Sequence, residues 1–309
     1  MSASALLNPR YGNGVVSMED VELPPTDVEI TTRLRQLFAS QSWKPPMLPA
    51  VAMQLVELAR KPDVEVAEVA RTLETDPVLA ARVLKLVQSP FYSGQTPVRS
   101  LKQAVVRLGL VGMRNAVLEA SLDYRVVRAP GYRTQLEALR RHSQWTAHLA
   151  RLVARRSPID PDFCFLCGLL HDIGIAASLL ALGEEREPVG IETAWSSVEE
   201  VHEEAAGIVA RAWKLPVELA QVVQSHHVLR SDGQIHPVTA VICVAQELAE
   251  EIGAGLQGPA ENCQVQQIET DSAERRALAK MTLRLDDYEM NSLRADTKAL
   301  VKRTGEGGA

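Results

Sequence analysis

From Pro49 to about residue 252 the apolar residues recur at helical spacing, and no stretch alternates apolar and polar residues as a half-buried strand would. Leu48, Val51, Ala52, Leu55, Val56 and Ala59 line one face, and Pro62-Asp63 ends that element. Val66, Val69 and Leu73 mark a second helix. Thr75-Asp76-Pro77 opens a third, with Asp76 placed to cap it and Pro77 suited to its first turn. Ser100 caps a helix through Leu108 that Gly109 closes, and Gly112 opens another to about Leu122. Further helices are expected at 136–156, 162–171, 197–213, 216–227 and 236–252. The fold class is therefore all-α, as two packed helical lobes.

The boundaries follow from composition. Residues 1–28 are polar, lack a period and read as a flexible tail; a helix covers Val28 to Ser40, and Trp43 to Pro49 is a proline-stiffened extended entry. One domain is expected over 29–252, with lobes 29–130 and 131–252. The Gly-rich stretch from Gly253 to Pro259 reads as a linker within a 253–309 tail, with helices at 272–281 and 286–302 and disorder from Arg303.

The chain has 309 residues, 46% of them hydrophobic, enough for a real core, and a formal net charge of -6. That charge argues against DNA or a membrane surface as partner, since both favour a basic face. No apolar run is read as reaching the ~18 residues of a membrane span. Four cysteines at this length fit reduced thiols in a cytoplasm.

Five of the seven histidines, His142, His171, His202, His226 and His227, fall near the ends of successive expected helices. Asp172 follows His171 directly. One end of a helical bundle can gather such groups, and neutral imidazoles with a carboxylate suit Fe, Mn or Zn. An aspartate between two ions could bridge them, and such a pair would activate water and clamp a phosphate. A single histidine on an apolar helix is more often a core or surface residue, so the weight rests on the series.

Several segments carry a resemblance. These are Pro46-Met47-Leu48-Pro49-Ala50-Val51-Ala52, Asp76-Pro77-Val78-Leu79, Ser100 to Val105 with Leu108-Gly109, His142-Ser143, His171-Asp172-Ile173-Gly174, Trp213-Lys214-Leu215-Pro216 and His226-His227. In order and spacing, residues 43–250 resemble the HDOD domain, a helical output domain of bacterial signalling proteins. That family is related to the HD phosphohydrolases and the HD-GYP cyclic di-GMP phosphodiesterases. The resemblance implies metal ligands at His142, His171, Asp172, His202, His226 and His227. It also shows departures. HD enzymes carry a final Asp ligand where Gln246 stands, and an amide oxygen is a poor substitute for a carboxylate. HD-GYP enzymes have Lys where Ile175 stands, and their Gly-Tyr-Pro signature is absent. The usual Asn-Ser of HDOD domains reads Gln88-Ser89. Glu247 adjoins Gln246 but is rotated ~100° around the helix.

The leading expectation is a non-catalytic signalling module that binds a regulatory protein of the kinase, diguanylate cyclase or response-regulator class. No cofactor is required by that reading, although a divalent metal remains compatible with it. One alternative is a receptor for a nucleotide or cyclic dinucleotide; the other is a metal-dependent phosphohydrolase or phosphodiesterase. Arg140 and Arg141, in a cluster with Arg125, Arg128 and Arg133, are candidate phosphate or partner contacts, a solvated face being the commoner outcome. Cys164 and Cys167, His148, and the tryptophans 145, 195 and 213 are read as structural, His236 as exposed. Glu184, Glu185, Glu187, Glu199, Glu200, Glu203 and Glu204 are read as solvent faces.

Overall fold

Capping chemistry places the helices. In the computed structural model Asp76 accepts from the Leu79 amide at 3.1 Å and Pro77 fills the first turn. Ser100 accepts from the Gln103 amide at 3.2 Å. Gly109 adopts φ +69°, which only glycine takes without strain, and breaks the helix there. The structure describes residues 25–305 except 41–42, 62, 93–96, 123–128, 130, 186–188, 229, 232–233, 257 and 259–264, with the backbone alone for 230–231, 234–235 and 265–272.

Thirteen helices lie among these residues. The first block holds α1 (Asp27–Ala39), α2 (Ala50–Leu58), α3 (Val66–Glu74), α4 (Pro77–Val87) and α5 (Leu101–Ser121). The second holds α6 (Arg133–Ala154), α7 (Pro161–Leu170), α8 (Ile173–Gly183), α9 (Ile191–Ala212), α10 (Val217–Val223) and α11 (Pro237–Glu251). Two C-terminal helices follow, α12 (Val265–Leu283) and α13 (Asp287–Thr304). The all-α reading holds. Its one departure is β1 (Arg230–Ser231) paired antiparallel with β2 (Gln234–Ile235), two residues each and too short to leave a period-2 pattern.

Helices α2, α3 and α4 pack on α5, whereas α6, α7 and α11 form a layer beside the α8–α9 pair. Helix α1 comes first in the chain but docks on α9: the Ser197 hydroxyl donates to the Asp27 carbonyl at 2.8 Å and Thr31 reaches Glu200. The extended entry is held by Trp213, whose Nε1 donates to the Pro46 carbonyl at 2.7 Å. Trp145, Trp195 and Trp213 are all buried, and so are Cys164 and Cys167. Burial pushes the Cys164 thiol up to about 12, which suits a packing role.

Two expectations are corrected. Read through His171 and Asp172, the stretch Pro161–Gly183 is long and apolar enough to cross a membrane, with mean hydropathy 1.9. Here it is interrupted at that dipeptide and forms the core, with 94% of its most apolar 18-residue window buried. The C-terminal helices also run further than composition implied. Asp286 caps α13 at the Glu289 amide, and Gly305 ends it at φ +71°, so Arg303 is helical. The expected N-terminal tail to residue 24 and the last four residues lie outside the described residues.

The C-terminal helices are fastened to the domain by ion pairs. Arg294 makes a two-pronged contact with Glu251 at 2.8–3.0 Å. Arg156 bridges Glu289 and Asp296 at 2.7 Å each. Helix α12 lies along α11, where Lys280 meets Glu247 at 2.6 Å, and so roofs the region in which the histidines gather.

Candidate metal centre

The α7–α8 junction is where the histidines meet. His171 ends α7 and Asp172 starts α8, both buried. Gly174 lets this corner sit against α9. A Cβ there would lie 1.8 Å from the His202 carbonyl oxygen and 2.7 Å from the Ala206 nitrogen, so any side chain would push the two helices apart. The glycine of the His-Asp-Ile-Gly sequence is thus a requirement of close helix approach.

Asp172 presents its two oxygens to two groups of imidazoles. Oδ2 lies 3.0 Å from His171 Nε2 and 3.5 Å from His142 Nε2. Oδ1 lies 3.2 Å from His226 Nε2 and 3.8 Å from His202 Nε2. His142 and His171 are 3.2 Å apart at Nε2, and His202 and His226 are 3.4 Å apart. The structure therefore brings together all six residues named from the sequence, as two sets sharing one carboxylate.

The orientation of the rings is fixed from behind. His142 Nδ1 bonds the Ala254 carbonyl and His171 Nδ1 that of Gly168, each at 2.9 Å. His226 Nδ1 bonds the Val223 carbonyl at 3.0 Å, and His202 Nδ1 that of Glu199. A carbonyl only accepts, so each Nδ1 carries the proton and each Nε2 turns a lone pair inward. Four converging lone pairs beside a carboxylate repel one another unless a positive charge lies among them. Separations near 3.0–3.5 Å also match the edge of a coordination sphere with ligands at roughly 2.1 Å. By donor type, tautomer and spacing, these residues fit a divalent metal.

The electrostatics agree at His142 and Asp172, whereas His171 is drawn toward its charged form by Asp172. Burial holds His142 down to about 4, with the charge of His171 adding to it, which keeps this ring neutral and available as a ligand. Burial works against charge on Asp172 too, but the imidazoles of His171 and His226 outweigh it and hold the carboxyl well below its ordinary value. On His171 burial favours the neutral ring, and Asp172 overrides it, so its pKa is raised.

His227 behaves differently. Arg275 of α12 donates from Nη1 to His227 Nδ1 at 2.7 Å. A guanidinium only donates, so the His227 proton sits on Nε2 and points at His202 Nε2, 3.2 Å away. With Arg275 in place, His227 is a hydrogen-bond donor to its neighbour and not an inward lone pair. Sequence reading did not find Arg275; its sole signal was an arginine pair, Arg275-Arg276, in a polar helix.

These groups surround a cavity of about 530 Å³. Gln246 lines it, and its Oε1 is buried with no hydrogen-bond partner, at the place where a carboxylate was expected. Glu247 does not take over the role, because it pairs with Lys280. Glu199 is exposed, as expected, and also lines the cavity; Glu203, expected to face solvent, is half-buried and accepts from the His227 amide at 2.8 Å. Of the arginine cluster, Arg133 pairs with Glu137, Arg141 donates to the Gly253 carbonyl at 2.6 Å, and Arg140 lines a different cavity. Arg125 and Arg128 lie outside the described residues. His148 is buried against Glu119, consistent with a structural part, and His236 is exposed.

The comparisons with known proteins agree with this geometry. The HDOD domain model matches residues 46–229, more than half of the chain. An uncharacterized protein of Treponema pallidum is 26% identical over 219 residues, which is 66% of this chain and 42% of that longer protein. An HDOD domain protein of unknown function from Geobacter sulfurreducens superposes with a TM-score of 0.58 at 24% identity, covering 88% of this chain and 99% of the other. A Shewanella amazonensis protein carrying the working description of metal-dependent phosphohydrolase gives 0.64 at 21% identity, with the same coverage. A Marinobacter aquaeolei protein with a signal-transduction description gives 0.59 at 21% identity, covering 90% of this chain and 63% of its own. At such identities these solved structures share the fold. The matched sequence and the His-Asp corner together place the chain in the HDOD domain family.

Proposed function

We propose that the protein is an HDOD signalling module whose histidine–aspartate centre holds a divalent metal ion and whose output is contact with a regulatory protein. Its candidate partner classes are a kinase, a diguanylate cyclase or a response regulator. The observation that carries the reading is the state of the cavity mouth. Arg275 ties up His227, and Gln246 supplies a neutral amide where hydrolysis calls for a further anionic ligand. His142, His171, Asp172 and His226 would hold the metal. A bound metal supplies Lewis acidity and, in hydrolases, a water of lowered pKa. The residues of this chain orient the ligands from behind, keep His142 neutral, and cover the site with α12. A metal thus held would fasten α6, the α7–α8 corner and the end of α10 to one point and make the shape of the domain depend on the site.

The test combines metal analysis with turnover of bis-p-nitrophenyl phosphate, an unspecialised phosphodiester. The proposal predicts bound metal and no turnover in the natural sequence. Turnover abolished by Asp172→Ala would favour a second reading, a metal-dependent phosphohydrolase. The division of Asp172 between two imidazole sets, as in a two-metal site, supports that second reading. If turnover appears only in Gln246→Asp, the natural chain is a hydrolase relative lacking one ligand, in line with the proposal.

A further inference from the structure

A larger cavity, about 730 Å³, opens between the two helical blocks, bounded by α4, α5, α6 and the α7–α8 corner. It is separate from the histidine cavity, and their described lining residues do not overlap. Its walls are apolar: Leu86, Leu122, Leu136, Leu139, Leu169 and Ile173. Arg82, Lys85 and Arg140 bring three positive charges to it, and Glu119 is the sole acid among the described lining residues.

Glu119 is a buried carboxylate. Tyr92 donates to its Oε2 and Gln144 to its Oε1, each at 2.6 Å. Burial alone would protonate it; His148, Tyr92 and Gln144 outweigh burial and hold it in the charged form. Oε2 also faces His148 Nε2 at 3.6 Å, whereas Oε1 keeps a further lone pair that can accept from a ligand N–H. Beside it, the Ser89 hydroxyl is buried without a hydrogen-bond partner, and Ser143, itself buried, also lines the cavity. A volume of this size falls in the range of small-molecule sites, roughly 300–1,000 Å³.

We propose that this inter-lobe cavity is a second ligand site, for a nucleotide whose base carries adjacent N–H donors. Such a base would set its donors against Glu119, lie between the leucines, and leave its phosphate among Arg82, Lys85 and Arg140. A guanine base has the paired N1–H and exocyclic amine that match a carboxylate; adenine lacks the N1–H. The site adjoins the metal corner in sequence, since Ile173 and Ser143 follow Asp172 and His142, but its described lining contains none of the metal-set residues.

The experiment is calorimetry of the full chain with guanosine monophosphate, adenosine monophosphate and inorganic phosphate. The expected result is one guanosine monophosphate per chain, bound at least tenfold more tightly than adenosine monophosphate or phosphate. Binding should weaken at least tenfold in Arg140→Glu and in Leu139→Trp, which removes rim charge or fills the cavity, and should persist in Asp172→Ala. Circular dichroism checks that each variant is folded; Lys85→Glu, at an exposed position, is the second rim variant should either fail. Three results would overturn the proposal: no guanosine monophosphate binding at millimolar concentration, binding indifferent to the folded cavity variants, or binding lost in Asp172→Ala. The last would put the nucleotide at the histidine centre. Because the persistence arm uses a chain without a complete metal centre, this inference can fail while the metal reading stands, and the reverse.

Discussion

Arg275 donates to His227 Nδ1 at 2.7 Å and thereby turns the proton of that imidazole toward His202. The guanidinium puts a positive charge at the outer end of the His202–His226–His227 set, where a second divalent ion would otherwise be favoured. The Arg275 Nε is buried without a partner.

Removing the guanidinium should release His227. Arg275→Ala is expected to raise the metal that the protein binds from about one toward two ions per chain, read by elemental mass spectrometry after equilibration with Mn or Zn and desalting. An unchanged stoichiometry would show that the arginine does not limit the second set.

Gly174→Ala should be poorly tolerated. Its Cβ would meet the His202 carbonyl oxygen at 1.8 Å, which backbone alone can relieve by separating α8 from α9. Overpacking of this kind costs roughly 3 kcal/mol. Urea unfolding should register that loss, and metal affinity should fall with it, because Asp172 starts one of the two helices that part. A variant as stable as the parent would mean that the helices approach less closely than described.

Acid should destabilise the metal-free protein. Burial lowers the pKa of His142 to about 4, and it also lowers those of His148 and His226. A histidine depressed in the folded state stabilises the fold above its unfolded value of about 6.5 and loses that contribution as the pH falls toward the folded value. His171, which is raised, acts in the opposite sense and loses its contribution as pH rises above 6.5. His227 and His236 are lowered by burial as well, so the lowered rings outnumber the raised one and unfolding free energy in chelator should drop between pH 6.5 and 4, by on the order of 3 kcal/mol for His142 alone at the lower end. A flat profile over that window would contradict the burial of these rings.

Tyr92→Phe should loosen the inter-lobe network. Glu119 would keep Gln144 but lose the 2.6 Å phenol donor in a buried setting. The cost expected for a buried charged acceptor is about 2 kcal/mol. Chemical unfolding measures it, and no change would mean that water replaces the hydroxyl at no cost.

Much of this was legible in the sequence, for physical reasons. Helical periodicity, Asp76-Pro77, Ser100 and Gly109 act locally, so they mark helix ends without knowledge of the fold. The adjacent pairs His171-Asp172 and His226-His227 survive in one dimension and sit at helix ends, but the expected helix-end placement fails for His142 and His202, which lie midway along α6 and α9 because both helices start earlier than composition implied. Contacts between distant helices were not. Nothing local in Arg275 announces that α12 lies across the histidines. Glu119 reads as one charge in an apolar helix until Tyr92, Gln144 and His148 surround it. Docking of α1 on α9 is invisible for the same reason. Apolar length misleads at Pro161–Gly183, because core burial and membrane burial select the same composition.

The central claim is that Asp172 and the histidines around it hold a metal. It is tested most directly by elemental mass spectrometry of freshly purified protein beside Asp172→Ala, with circular dichroism to confirm that both are helical. The account predicts close to one Fe, Mn or Zn per chain in the parent and background in the variant. Background metal in the parent even after reconstitution, or metal retained in a folded Asp172→Ala, would contradict it.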